Sequence, residues 1–183
     1  MKTLYKWRGF ILGALAVGLL LVPAAPLEHD EGVATTATSA VLLLIGILLR
    51  IFARRSIGEH TRGSVHEAPE LVTTGAYSLM RHPLYLSNTL IACAAIIFHL
   101  GFSWTAIPFG VALLLFECTL ALAEDRFLKD LFGEQWALWA NRTWAFLPNP
   151  AHFRVSEKSR SFFQSLRADT STWIWIILLA LIL

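Results

Sequence analysis

Residues 83–116 read PLYLSNTLIACAAIIFHLGFSWTAIPFGVALLLF, thirty-four positions without a charged side chain. As one helix they would extend about 51 Å at 1.5 Å per residue, well beyond the roughly 30 Å hydrocarbon core of a bilayer. The block must therefore fold back on itself, and His99-Leu100-Gly101-Phe102-Ser103 is the turn-forming stretch within it. The expectation is a third helix from Pro83 to about Phe98 and a fourth from about Trp104 to Ala123.

Working outward, Gly9 to Leu27 and Gly32 to Leu49 are two further uncharged runs of spanning length, and Thr170 to Leu183 is a shorter one of about 21 Å. The chain is 56% hydrophobic and 15% charged, with a mean hydropathy of +0.58. That composition excludes an ordinary soluble enzyme. The first run could be a signal peptide, since Lys2, Lys6 and Arg8 precede it and Pro23-Ala24-Ala25-Pro26 closes it; its length and the span that follows favour a retained helix. The fold expected is an all-α polytopic membrane bundle of about five transmembrane helices with a cytoplasmic interfacial helix. It forms one domain over 1–183, with two spans in 1–50, a core in 50–150 and a marginal span in 170–183.

Charge orients this bundle. With five spans and a cytoplasmic N-terminus, all 15 Lys and Arg residues fall on the inner side. Treating 83–116 as a single span would place seven of them outside. Two longer polar segments, 51–80 and 124–169, then lie on the cytoplasmic face, where any chemistry is expected.

Cys93 and Cys118 fall inside apolar spans and read as buried small hydrophobes. His60 and His66 are six apart, a spacing that suits no helical ligand pair, so no metal site is expected. Pro83 suits the first turn of a helix, which places Arg81 and His82 at a helix start with free backbone N–H groups, an anion-binding geometry. The bland alternative has Arg81 reaching to lipid phosphates and His82 capping the helix. Tyr85, Asn88, Thr89 and Ala92 share a face leading from that point into the bundle. Glu117 and Glu124 are seven apart on another helix. Glu117 is an intramembrane carboxylate, which has either a functional or an interhelical structural role. Leu128, Leu131, Phe132, Trp136 and Trp139 follow helical spacing through 124–140, as an interfacial helix would. Trp144, Phe146, Leu147 and Pro148 form an apolar segment that folds back as a lid or contacts lipid.

These pieces, in this order, resemble the isoprenylcysteine carboxyl methyltransferase-like superfamily of membrane methyltransferases, which includes phospholipid methyltransferase-like members. Its LVTxGPY pattern corresponds to Leu71 to Tyr77, and RHPxYxG to Arg81 to Tyr85 with Ser87. EExxL corresponds to Glu124-Asp125 with Leu128, FGxxYxxY to Phe132-Gly133 with Trp136 and Trp139, and a Pro-terminated segment to Asn141 to Pro148. The resemblance covers about Arg50 to Pro150. Ala76 stands for the usual Pro, Ser87 for Gly, Asp125 for the second Glu, and tryptophans for two tyrosines.

The resemblance implies S-adenosylmethionine as cofactor, held by Tyr77, Arg81, His82, Pro83, Tyr85, Glu124, Asp125 and Trp136. Arg81, His82 and Arg142 are the expected catalytic residues, with Arg142 preceding the final segment in which many family members carry their basic residue; Arg54, Asn88 and Arg142 are expected to meet the acceptor, a lipid or lipidated substrate, and no nucleic-acid partner is expected. A carboxylate or phosphate oxygen is the acceptor expected, because it is already anionic and needs no general base. An amine lipid would need His82 or Glu124 as base; a small thiol acceptor and a non-enzymatic scaffold are the remaining alternatives.

Overall fold

The computed structural model describes residues 2–26, 29–57, 70–156 and 159–182, with side chains from residue 7 in the first segment and from residue 31 in the second. His60, Arg62 and His66 lie outside the described residues. The helices are α1 (Lys2–Leu21), α2 (His29–Ser56), α3 (Ala76–Leu79), α4 (Pro83–Leu100), α5 (Ala106–Phe132), α6 (Glu134–Ala140), α7 (Phe162–Arg167) and α8 (Thr170–Ile182). Three stretches are long and apolar enough to cross a membrane: Glu31–Ser56, Pro83–Leu100 and Ala106–Phe132. Trp7–Leu21 and Thr170–Ile182 are shorter apolar helices. Among the described residues no strand forms; one isolated bridge pairs Met80 with Trp144.

The hairpin in 83–116 turns where expected. α4 carries Pro83 in its first turn and ends at Gly101, whose φ of 62° is one that glycine tolerates and whose N–H donates to Ile97 O at 2.8 Å. The far end of α5 differs from expectation. Instead of stopping near Ala123 before a separate helix over 124–140, α5 runs on to Phe132. Glu124 to Phe132 contains no breaker, so the helix propagates until Gly133, at φ 52°, ends it. Only the seven residues of α6 remain as a separate helix.

α2 and α4 form the tightest pair. A Cβ on Gly46 would stand 2.8 Å from Ile91 Cγ1 and 3.2 Å from the Ile91 backbone nitrogen. Beside it the buried Ser87 hydroxyl donates to Gly46 O at 2.8 Å. A small residue that admits a neighbouring backbone, sealed by a polar link, is how helices associate in an apolar solvent. At the opposite end Leu19, Ile96, Leu100 and Leu113 cluster. There His99 Nε2 donates to Val22 O at 2.8 Å, and Ala25 N–H donates to His99 O at 3.0 Å. Phe10, Leu44, Leu48, Val111, Leu115 and Leu122 face outward, a hydrocarbon-compatible exterior. Cys118 shares that exterior and is exposed, not buried as expected, because it lies one turn from Leu115 and Leu122 on the outer face of α5; Cys93 is half-buried.

Candidate functional site

Two segments distant in sequence build the site's frame. At Gly75, φ 62° and ψ −131° turn the chain into α3; a Cβ there would collide with Ser56 Oγ. That hydroxyl accepts from Ala76 N–H at 2.9 Å and donates to Phe52 O at 3.0 Å, anchoring α3 on the end of α2. Residues 139–154 then wrap the 75–82 stretch. Gly75 N–H donates to Arg154 O at 2.7 Å, Asn149 N–H to Leu79 O at 2.8 Å, and the Trp139 indole to Tyr77 O at 2.8 Å.

The wrap alters the helix start. Arg81 N–H donates to Trp144 O at 2.8 Å and His82 N–H to Ala145 O at 3.0 Å, so both groups expected to face an anion are committed to the protein. His82 ends up buried, with Tyr85 and Phe146 rings 5.6 and 5.7 Å from its own. The apolar segment is thus divided: Phe146 packs inward on His82, whereas Trp144 and Leu147 are exposed.

Arg81 is a brace. Its Nε and Nη2 each stand 3.2 Å from Asp125 Oδ2, and its Nη1 donates to Thr143 O at 2.6 Å and Ala140 O at 3.3 Å. One planar guanidinium therefore joins α4, α5 and the end of α6. His82 Nε2 is 3.2 Å from Asp125 Oδ1, yet the two are out of line for a hydrogen bond, and neither atom has another partner among the described residues. Glu124 makes only a long 3.9 Å approach to His82 Nδ1, and its side chain is 40% exposed.

A cavity of about 1000 Å³ opens at this point. Tyr77, Arg81, His82, Tyr85, Asn88, Arg54 and Glu124 line its polar end, and Leu12, Leu19, Ile96, Phe109 and Leu113 continue it as an apolar chamber. Of the residues singled out in the sequence, Pro83, Asp125, Trp136 and Arg142 lie outside its lining. Pro83 is buried in the first turn of α4, and Arg142 is exposed where the chain leaves α6. The Trp136 indole nitrogen is buried without an acceptor among the described residues. Thr89 also lies outside the lining, its hydroxyl donating back to Tyr85 O at 3.0 Å. Burial, and then the nearby Glu124 carboxylate, push the Tyr77 phenol well above its ordinary pKa, so it remains a hydrogen-bond donor.

Arg50 and Asp169, which the sequence did not mark as site residues, complete the polar end beside the expected Arg54. Arg50 donates through Nη1 to Asn88 Oδ1 at 2.6 Å and through Nη2 to Thr172 Oγ1 at 2.9 Å and Asp169 Oδ1 at 3.2 Å. Arg54 meets the same Asp169 bidentately at 2.7 and 2.8 Å. Burial opposes ionisation of Asp169, but the two guanidinium groups outweigh it and hold its carboxyl below the usual range. A signal was present: Arg50 and Arg54 are spaced i, i+4 on one face of α2, and Asp169 immediately precedes an apolar run.

Glu117 is 1% exposed, and although Asn88 approaches it, neither carboxylate oxygen has a properly aligned donor among the described residues. It lies outside the cavity lining.

The unmatched polar atoms suit a polar, partly cationic ligand. Glu124 presents a carboxylate without a close partner among the described residues, in a cavity at the upper end of the roughly 300–1000 Å³ usual for small-molecule sites, while His82 Nε2 is buried against Asp125 Oδ1. S-adenosylmethionine, with hydroxyl and ammonium donors, fits that set.

The class that fold and site define is a helical membrane protein with a polar pocket continuing into an apolar chamber. The sequence model of the phospholipid methyltransferase family matches residues 34–135, more than half of the chain, and the chain belongs to that family. It is similar to the cobalt-zinc-cadmium resistance protein CzcN of Cupriavidus metallidurans, 32% identical over 112 residues, covering 61% of this chain and 51% of that protein. It is equally similar to protein-S-isoprenylcysteine O-methyltransferase B of Arabidopsis thaliana, 32% identical over 111 residues, 58% of this chain and 56% of that one. The nickel-cobalt-cadmium resistance protein NccN of Alcaligenes xylosoxydans xylosoxydans is 29% identical over 145 residues, covering 78% and 66%. The chain thus spans about half the length of the first two relatives. No solved structure matches.

Proposed function

We propose that this protein is an S-adenosylmethionine-dependent methyltransferase acting on the polar head of a lipidic acceptor at the cytoplasmic leaflet, with a carboxylate or phosphate oxygen as the methylated atom. The observation that carries this reading is one continuous cavity whose polar end joins the motif residues Tyr77, Arg81, His82 and Glu124 to the arginines of α2, and whose remainder is apolar. When bound, the cofactor supplies a methyl group on a cationic sulfur.

The chain's own residues account for the rest. Glu124, without a close partner among the described residues, accepts hydrogen bonds from hydroxyl or ammonium groups and offsets positive charge. His82 is held rigidly by its backbone bond to Ala145, by the flanking rings and by Asp125 beside Nε2, so its ring keeps one orientation in the cavity wall. Arg81 positions both by fixing Asp125 and the 140–143 turn. The apolar chamber holds the acceptor's chain and excludes water, which favours a displacement in which charge is neutralised. Arg54 orients an acidic head, and the exposed Arg142 serves orientation in the membrane rather than contact with the acceptor.

The test combines two measurements on the protein in lipid nanodiscs. Calorimetry with S-adenosylmethionine is expected to show binding, and lipid mass spectrometry of cells with and without the protein is expected to show acidic lipids heavier by one CH₂. Absence of cofactor binding would leave a scaffold; a product methylated on nitrogen or on a small thiol would overturn the acceptor.

A further inference from the structure

α8 is attached to the bundle by polar contacts rather than by a buried apolar face. Among its described residues none is buried, yet Trp175, Ile176 and Leu179 form one wall of the cavity. What holds it is Asp169, the residue immediately before its first turn, gripped by Arg50 and Arg54, together with Thr172, which accepts from Arg50. Asp169 itself lines the cavity and is 3% exposed, so it sits inside the polar end rather than at its rim.

Two guanidinium groups here grip one carboxylate in a partly buried site, with Glu117 on α5 also acting on Arg50, and an anion that replaces Asp169 leaves that balance unchanged. The Nε–Nη2 edge of Arg54, the fork that grips a carboxylate or phosphate bidentately, is wholly occupied by Asp169. An acidic head group entering the cavity can grip that edge of Arg54 bidentately only by taking the place of Asp169. Because Asp169 adjoins α8 directly, and the Arg50 Nη2 that holds it also holds Thr172, turning Arg50 to a new anion loosens both links of the wall that α8 forms.

We propose that α8 is a lateral gate latched by Asp169, and that an amphiphile with an anionic head, a carboxylate or a phosphate monoester, opens it by replacing Asp169 on Arg50 and Arg54. The inference deepens the proposed function, resting on it only for the lipidic nature of the acceptor. The exchange conserves charge: one anion leaves the arginines as another arrives, and Asp169 regains hydration at the polar end. A neutral or cationic head gains nothing from the arginines and leaves the latch closed.

The gate is tested with spin labels on Leu122 of α5 and Ile174 of α8, both exposed and on helices that wall the cavity, after replacing Cys93 and Cys118 by Ser. The full chain is placed in phosphatidylcholine nanodiscs and the label separation measured with dodecanoate, dodecyl phosphate, dodecylamine or dodecyl maltoside. One or both acids are expected to shift the separation by about 5 Å, one helical turn, and the acid that acts identifies the head. The amine and the maltoside are expected to leave it unchanged. In Asp169→Asn the shifted population is expected without any amphiphile. No shift with either acid in the unsubstituted latch, or an equal shift with dodecylamine, overturns the gate, whether or not the variant folds. Cofactor binding measured on the same sample separates the two readings: a gate response without S-adenosylmethionine binding removes the methyltransferase and leaves the gate, and the reverse removes only the gate.

Discussion

Arg81 and Asp125, on α4's approach and on α5, are joined through one carboxylate oxygen: Asp125 Oδ2 lies 3.2 Å from both Nε and Nη2 of the guanidinium. The remaining nitrogen donates to Thr143 O, so three chain segments depend on one side chain. Arg81→Ala is expected to lose about 1.5–3 kcal/mol, because it strands a partly buried carboxylate and two carbonyls. Arg81→Lys is expected to recover little, since an ammonium lacks the planar fork. Thermal unfolding in detergent checks both.

Glu124 and Asp125 are neighbours with different duties. Glu124→Gln is expected to keep the unfolding midpoint and weaken S-adenosylmethionine binding by about ten- to a hundredfold, the loss of one charge-assisted contact. Asp125→Asn is expected to lower the midpoint because it disturbs Arg81. His60→Ala and His66→Ala are expected to leave affinity unchanged. Calorimetry on the four variants distinguishes these patterns.

Glu117 has no aligned donor at either oxygen among the described residues, and it lies outside the cavity lining. Glu117→Gln keeps the shape and removes the charge. It is expected to raise the unfolding midpoint with cofactor affinity unchanged. A fall in methylation at an unchanged or higher midpoint would instead give this carboxylate a part in the reaction.

The Asp169 latch has a defined pH dependence. Its carboxyl is held below the ordinary value, near 3.9 for aspartate, so its contribution is fully present above about pH 4 and is lost as pH falls through the lower folded value. The α5–α8 label separation is expected to stay constant from neutral pH down to about 4 and to change only in stronger acid. Asp169→Asn is expected to show no such transition.

Orientation is tested by accessibility. In a background lacking Cys93 and Cys118, single cysteines at Glu31 or Phe102 are expected to react with an impermeant thiol reagent from outside, whereas those at Gly58 or Glu134 are not. Reaction at Glu134 from outside would move the site to the other face.

The helical class and the hairpin in 83–116 were legible because hydrocarbon thickness and helix rise leave few options for an uncharged run of that length. The residues around Gly75, Arg81 and Glu124 were legible as a pattern, but their partners were not. Arg81 at a helix start looks like a ligand for an anion; only the fold shows that Asp125 and the carbonyls of Ala140 and Thr143 already hold it. The Arg50–Asp169 pair escaped for the same reason: its members are 119 positions apart, and no local periodicity reports a contact across that distance. The extension of α5 past Ala123 was obscured by a change from apolar to charged residues. That change moves a helix from one environment to another without ending it, which here required Gly133.

The bonds from Trp144 and Ala145 to the start of α4, and from Arg154 to Gly75, also bear on how the protein is made. During synthesis the hairpin reaches the insertion machinery while residues 139–154 are still inside the ribosome or untranslated. The spans can therefore enter the bilayer with the segment over 75–82 unpaired, and the pocket takes shape only after the wrapping segment has emerged and docked. A nascent chain halted before Trp139 would carry its membrane anchors and no site, so it is at this late docking step that quality control can tell a finished molecule from an inserted but inactive one.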